Sequence, residues 1–188
     1  CWRMASSIAH IALVSTSLLL GASGANAGVL YDPALGTLPA SQGWKYVPNP
    51  NNGPVVETLL PSAVVLDSSA DRLDRAGYFS RLPTVPPFTF PQHPGIPTLD
   101  RNVGFTLTFD AAVVSEGHNA RDDNADGLDD RAGFSVIIVC SDLRAIEVSM
   151  FEDRVWVQED DAIAAIEMFT QAEGVAFDTT VGARFSIS

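Results

Sequence analysis

The chain has 188 residues, a formal net charge of −12 from 23 acidic against 11 basic side chains, and 46% hydrophobic residues. This acidic balance argues against nucleic acid and anionic membrane surfaces as partners. With two cysteines in all, a disulfide-stapled scaffold is excluded as well.

The N-terminus reads as an export signal. Residues Ile8 to Leu20 (IAHIALVSTSLLL) form a mostly apolar run, and Ala25-Asn26-Ala27 is a small-x-small cleavage site ahead of Gly28. Met4 is a candidate start. The run is shorter than the roughly 20 residues of a membrane span, and no second candidate follows, so no integral membrane span is expected. Removing residues 1–27 leaves 161 residues, one domain with a real core, and the loss of Arg3 with no acid takes the net charge to −13. The expected location is secreted or at the cell surface. Cys140 alone remains in that mature chain and reads as a small buried hydrophobe.

Residues 28–62 are rich in Pro, Gly and Asn, which disfavours helix. Within them Gly43 to Val47 (GWKYV) reads as a short edge strand, with Val55 to Leu60 and Ala63 to Leu66 as further strands separated by Pro61. The proline-dense block Leu82 to Asp100 cannot be a central strand, because each proline removes a ladder donor. It reads as a surface connection with Phe88 and Phe90 as packing anchors. Val103, Phe105, Leu107 and Phe109 then alternate with small or polar residues, a half-buried strand.

Between Asp122 and Asp130 the chain reads DDNADGLDD, which sets Asp122, Asn124, Asp126 and Asp130 in the frame D-x-[DN]-x-D-G-x-x-D. Alternate oxygen side chains of a curled segment point at one centre, the Leu128 carbonyl can add a ligand, and Gly127 permits the reversal, so structural calcium is expected. The bland alternative is a solvated acidic hairpin. An EF-hand is not matched, since Gly133 occupies the twelfth position. Glu116 and His118, just upstream, are a second metal-donor pair of the kind more often simply solvated.

Phe134 to Cys140 (FSVIIVC) is a β-branched run that suits a strand covered on both faces. Ser141 to Ala145 reads as a turn. Ala145 to Phe151 places Ile146, Val148 and Met150 on one face and Glu147, Ser149 and Phe151 on the other, and Arg154 to Gln158 continues the meander. Ala162 to Gln171 is ambiguous between helix and strand, and two short strands follow at Gly174 to Asp178 and Ala183 to Ile187. The alternation is still running at Ser188, so closing strands are expected beyond it. A shared R-A-G-[FY] at Arg75 to Tyr78 and Arg131 to Phe134 reads as equivalent strand entries in two facing sheets.

The succession GFTLTFD, acidic loop, DDRAGFSVI, IEVSMFEDRVWVQ and EGVAFDTT, from Gly104 to Asp178, resembles the concanavalin A-like lectin/glucanase domain of exported bacterial proteins, of the kind carrying a C-terminal sorting signal. The resemblance implies an all-β, two-sheet antiparallel jelly-roll sandwich across residues 28–188, often with structural calcium and a glycan-binding concave face. Such folds host lectins, hydrolases and adhesive modules alike. In the laminarinase-like hydrolases of this fold two glutamates sit on one bulged strand, and Glu147 and Glu152 copy their spacing. The middle Asp of that frame is replaced by Ser149, which cannot supply the charge that sets the ionisation of the pair. Trp156 with Gln158, and Trp44 with Tyr46, offer flat rings and an amide for sugar stacking, or else are core. His93 and His118 lie in no nucleophile motif. The expected function is an exported, non-catalytic, calcium-containing module that binds a polysaccharide or cell-surface glycan. A hydrolase using Glu147 and Glu152 and a purely structural matrix module are the alternatives.

Overall fold

The computed structural model describes residues 10–14, 28–49, 55–70, 74–80, 93–117, 133–142, 144–161 and 174–188. The chain is all-β. Its strands are β1 (His10–Val14), β2 (Lys45–Asn49), β3 (Val56–Leu60), β4 (Ala63–Asp67), β5 (Arg75–Phe79), β6 (Leu107–Ser115), β7 (Phe134–Val139), β8 (Arg144–Met150), β9 (Arg154–Asp161), β10 (Val175–Ala176) and β11 (Ala183–Ile187). Every strand pairing is antiparallel. Among the described residues the only helical pieces are two 3-10 turns, Pro33–Leu35 and Pro39–Gln42, each opened by its proline and closed by a glycine at positive φ. No helix among these residues is long and apolar enough to cross a membrane.

The strands form a five-stranded sheet in the order β11-β6-β1-β4-β3, a four-stranded sheet β10-β9-β8-β7, and a ribbon of β2 and β5. The two larger sheets meet through Phe109, Ala111 and Val113 of β6 packed with Val148 and Met150 of β8. These residues are spaced two apart along their strands, so one face of each sheet enters the core. A second cluster, Tyr31, Val64 and Leu66, takes up Tyr46 and Tyr78 of the ribbon. Phe134 borders both clusters. Across β6 and β11, Arg184 donates from Nε and a terminal nitrogen to the two carboxylate oxygens of Asp110, each at 2.8 Å.

Four sequence expectations change. The strand expected from Val103 starts at Leu107 and runs on to Ser115, because Asp100 first closes a turn: its carbonyl accepts from the N–H of Val103 and Gly104, and its side chain from that of Asn102. Phe134 to Val139 is not covered on both faces. β7 is an edge strand, Ile138 buried while Ile137 and Val139 are each 42% exposed. The R-A-G-[FY] segments are not equivalent entries either: Arg75, Ala76 and Gly77 lie inside β5 of the ribbon, whereas Gly133 precedes β7 at φ +73°. The expected edge strand at Gly43 is shifted to Lys45–Asn49, since Gly43 instead closes a 3-10 turn. Phe88, Phe90 and Ala162 to Gln171 lie outside the described residues.

Residues His10–Val14, expected from the sequence to belong to an export signal outside the domain, form a strand between β4 and β6.

Gly133 is a point where the backbone admits no side chain. It holds a left-handed conformation, and a Cβ there would collide with the Met150 carbonyl at the end of β8. Gly36 has a similar φ of +64° with open space around it. Gly133→Ala is therefore expected to lower stability by about 2–4 kcal/mol, against about 1 kcal/mol for Gly36→Ala. Urea denaturation of the two variants checks the contrast.

Candidate functional site

β8 is flanked by β7 and β9, and its alternation sends residues to both faces of the four-stranded sheet. Val148 and Met150 point into the sandwich, so Glu147 and Ser149 belong to the opposite, outer face. Register carries this face across to the neighbouring strands: Ser149 stands opposite Trp156 and Ser135, and Glu147 opposite Gln158 and Ile137. Directly opposed residues of an antiparallel pair share a face.

This outer face is closed over its centre. Glu147, Ser149, Phe151 and Trp156 are all buried, at 4%, 2%, 1% and 3% exposure. Ser149 Oγ donates to Glu147 Oε1 at 3.2 Å, and the Trp156 ring leans on Phe151 with centroids 4.2 Å apart. Among the described residues the Trp156 Nε1–H has no hydrogen-bond partner. A buried donor left unmade costs about 1–3 kcal/mol, so this group is a point where an added acceptor would gain most.

The turn between β8 and β9 is fixed from outside the sheet. Thr179, fully buried, donates its hydroxyl to the Phe151 carbonyl at 2.6 Å and its N–H to the Glu152 carbonyl at 3.0 Å. Its own carbonyl accepts from Val113 of β6 at 3.2 Å. One threonine thus ties the turn to the opposite sheet. Glu152 lies in this turn, beyond the end of β8, with its N–H donating to Glu116 Oε1 at 3.4 Å. β8 keeps unbroken register with both neighbours from Ala145 to Met150, so no bulge brings Glu147 and Glu152 onto one face. The paired-carboxylate arrangement is not assembled.

The aromatic expectations also separate. Trp156 is core-like rather than an exposed platform. Trp44 lies beside the ribbon, its Nε1 donating to the Leu30 carbonyl at 2.9 Å and its ring 5.3 Å from that of His93. His93 is buried, accepts at Nδ1 from Gly95 N–H, and among the described residues has no partner at Nε2. Tyr46 pairs with Tyr78 across the ribbon instead of flanking Trp44 in a platform. The calcium frame Asp122, Asn124, Asp126, Leu128 and Asp130, together with His118 and the side chain of Gln158, lies outside the described residues. Among the described residues no group of three or more His, Cys, Asp and Glu side chains gathers for a metal. Cys140 is half-buried, and burial pushes its thiol upward, with the charge of Asp142 adding to that.

Sequence reasoning missed a second polar cluster, signalled only by a lone Glu57 in the apolar strand VETLL. The Tyr78 hydroxyl donates to Glu57 Oε1, and the Tyr46 hydroxyl is buried beside it with no partner. Burial, and then the Glu57 charge, push the Tyr46 phenol up to about 12; burial and the bond to Glu57 push Tyr78 higher still. A phenol raised in the folded state contributes stability that is complete below pH 10 and is lost as pH climbs from 10 toward 12. Tyr46→Phe is therefore expected to leave neutral-pH stability unchanged or raise it by up to about 1–2 kcal/mol, and to flatten the alkaline loss. Tyr78→Phe is expected to lower it by about 1.5–3 kcal/mol, since Glu57 loses its donor. Denaturant melts between pH 7 and 12 separate the two.

No family model, curated protein or solved structure matches this chain, so its likeness to concanavalin A-like domains rests on the sequence motifs given above.

Proposed function

We propose that the protein is an exported, non-catalytic β-sandwich module that holds a carbohydrate hydroxyl group between Trp156, Ser149 and Glu147, with a structural calcium in the loop from Asp122 to Asp130. The observation that carries this reading is the buried Trp156 Nε1–H, without a hydrogen-bond partner among the described residues, on the same face as the Ser149 and Glu147 oxygens. A hydroxyl is both acceptor and donor, so one sugar hydroxyl accepts from the indole and donates to the carboxylate. Because the three side chains are buried, the reading favours a terminal sugar over a polysaccharide lying across an open platform. Hydrolysis gains no support, since Glu147 and Glu152 are not brought to one face.

Export is supported by the apolar run and the small-x-small site before Gly28. Calcium is supported by the D-x-[DN]-x-D-G-x-x-D frame, in which five carboxylates within nine residues repel one another unless a cation neutralises them. The loop leads directly through Gly133 into β7.

Titrating a panel of mono- and oligosaccharides while following tryptophan fluorescence tests the binding reading. Trp156→Phe keeps a ring and removes the N–H, and is expected to weaken binding about tenfold, with Glu147→Gln weakening it by at least as much. Absence of any saturable signal at millimolar sugar would rule the site out.

The metal has its own measurement. Calcium at a hundredfold above its Kd stabilises the folded state by about 2.7 kcal/mol, so chelation is expected to lower the melting temperature. Asp126→Ala should lower it in calcium and abolish most of the chelator effect, and magnesium should substitute poorly, because it demands a tighter octahedral shell. Equal melts with and without chelator would reduce the segment to a solvated loop.

A further inference from the structure

The peptide bond between Asp32 and Pro33 lies beside a carboxyl and beneath a pair of hydrogen-bond donors. Asp32 has extended backbone, with φ −125° and ψ 104°, and its Oδ1 accepts from the Ala34 N–H at 2.9 Å. That bond spans the Asp32–Pro33 peptide, so the carboxyl is kept close to the carbonyl carbon of its own residue. The Asp32 carbonyl oxygen accepts from Gln42 Nε2 at 2.8 Å and from the Leu35 N–H at 3.3 Å. Gln42 is itself pinned: its Oε1 accepts from the Asp32 N–H at 2.9 Å, and its Nε2 also donates to Thr37 Oγ1 at 3.0 Å. Pro33 makes the bond a tertiary amide, whose nitrogen leaves as a secondary amine.

We infer that the Asp32–Pro33 bond is a self-cleaving site, cut by the Asp32 carboxyl while Gln42 and Leu35 hold the oxygen on which charge develops. In the first step a carboxyl oxygen of Asp32 bonds to the Asp32 carbonyl carbon and closes a five-membered ring. The carbon–nitrogen bond to Pro33 breaks, and the carboxyl proton goes to the prolyl nitrogen. The products are a piece ending in a cyclic anhydride and a chain beginning at Pro33. One water then opens the anhydride and leaves Asp32 with two carboxyl groups. Nucleophile and electrophile belong to one residue, so no encounter is needed. The carbonyl oxygen gains negative charge as the ring closes, and donors already in place then bind it more strongly than they bind the neutral amide. Asp32 is half-buried while Ala34, Leu35 and Gly36 are exposed, so water reaches the anhydride. The titratable side chain beside the site is Tyr31, whose phenol is pushed up by burial and then by the Asp32 charge, and so stays protonated. After the cut, the piece ending at Asp32 is held by contacts alone: Tyr31 packed with Val64 and Leu66, and the Leu30 carbonyl accepting from Trp44. None of these groups belongs to the Glu147, Ser149 and Trp156 cluster, and the reaction is independent of sugar binding.

Incubating the folded full chain in mildly acidic buffer tests this, with fragments separated under denaturing conditions and weighed by mass spectrometry. Two fragments are expected whose masses sum to the intact chain plus one water, the larger beginning at Pro33. They should form at least about tenfold faster than from the same chain in urea at the same pH. Gln42→Glu keeps the acceptor for the Asp32 N–H and removes the donor to the carbonyl, and is expected to slow the cut about tenfold or more with an unchanged circular dichroism spectrum. Asp32→Asn keeps the acceptor for Ala34 and should leave the chain uncut over the same period. In heavy-oxygen water the label should enter both the main-chain and the side-chain carboxyl of Asp32, because water can open the anhydride from either side. No cut, or a cut no faster in the folded chain than in urea, overturns the inference. So does label confined to the main-chain carboxyl, or a folded Gln42→Glu protein cut at the wild-type rate. If Gln42→Glu does not fold, the comparison of folded and urea-treated wild-type chain decides.

Discussion

The fold depends on β8 being buried on both of its faces. Val148 and Met150 close against Phe109, Ala111 and Val113 of β6, and this is the contact that makes two sheets into a sandwich. Small residues matter as much as large ones here. Ala111, fully buried, keeps the centre of β6 low so that Met150, also fully buried, can fill the space above the sheet. Thr179 then fastens the far end, linking the β8–β9 turn to Val113 through three hydrogen bonds that leave neither its hydroxyl nor its backbone groups exposed.

Once one face of β8 is committed to the core, alternation sends Glu147 and Ser149 to the other. A carboxylate and a hydroxyl buried together require each other, and the bond between them meets part of that need. The Trp156 indole N–H on the same face remains unmatched. Polar atoms in this state are costly in a core that only has to be stable, and useful in one that has to recognise something. Glu57, Tyr46 and Tyr78 show the same tension in the ribbon, where one phenol is satisfied by the carboxylate and its neighbour is not. The difference is that the tyrosine cluster lies between sheets, whereas Glu147, Ser149 and Trp156 lie on the side of the sheet away from the sandwich core.

Sheet edges are the second constraint. β7 carries no charge and no proline along FSVIIV, and it exposes Ile137 and Val139, so it has none of the usual protection of an edge strand. β6 and β4 avoid being edges only through β1. The apolar run His10–Val14 has the composition a central strand requires, because a sheet interior favours uncharged, aliphatic side chains.

The strands from Val56 to Asp67, from Ala145 to Gln158 and at Val175–Ala176 and Ala183–Ile187 were legible in the sequence because period-two alternation and turn residues are local signals, fixed by the geometry of a single strand. So was the assignment of Glu147 and Ser149 to the face opposite Val148, which follows from parity alone. The start of β6 was displaced by the turn at Asp100, a competition between side-chain and ladder hydrogen bonds that the hydrophobic pattern does not report. The coverage of β7 was misread because a continuous apolar run looks the same at the edge of a sheet as at its centre. Strand order cannot be seen from within one strand. For the same reason composition determined that Trp44 and Trp156 were candidates, but only tertiary structure decided that one rests on His93 and the other on Phe151, and that Glu152 belongs to a turn rather than to the face of Glu147. Local chemistry sets what each residue can do, and long-range pairing sets which residues meet.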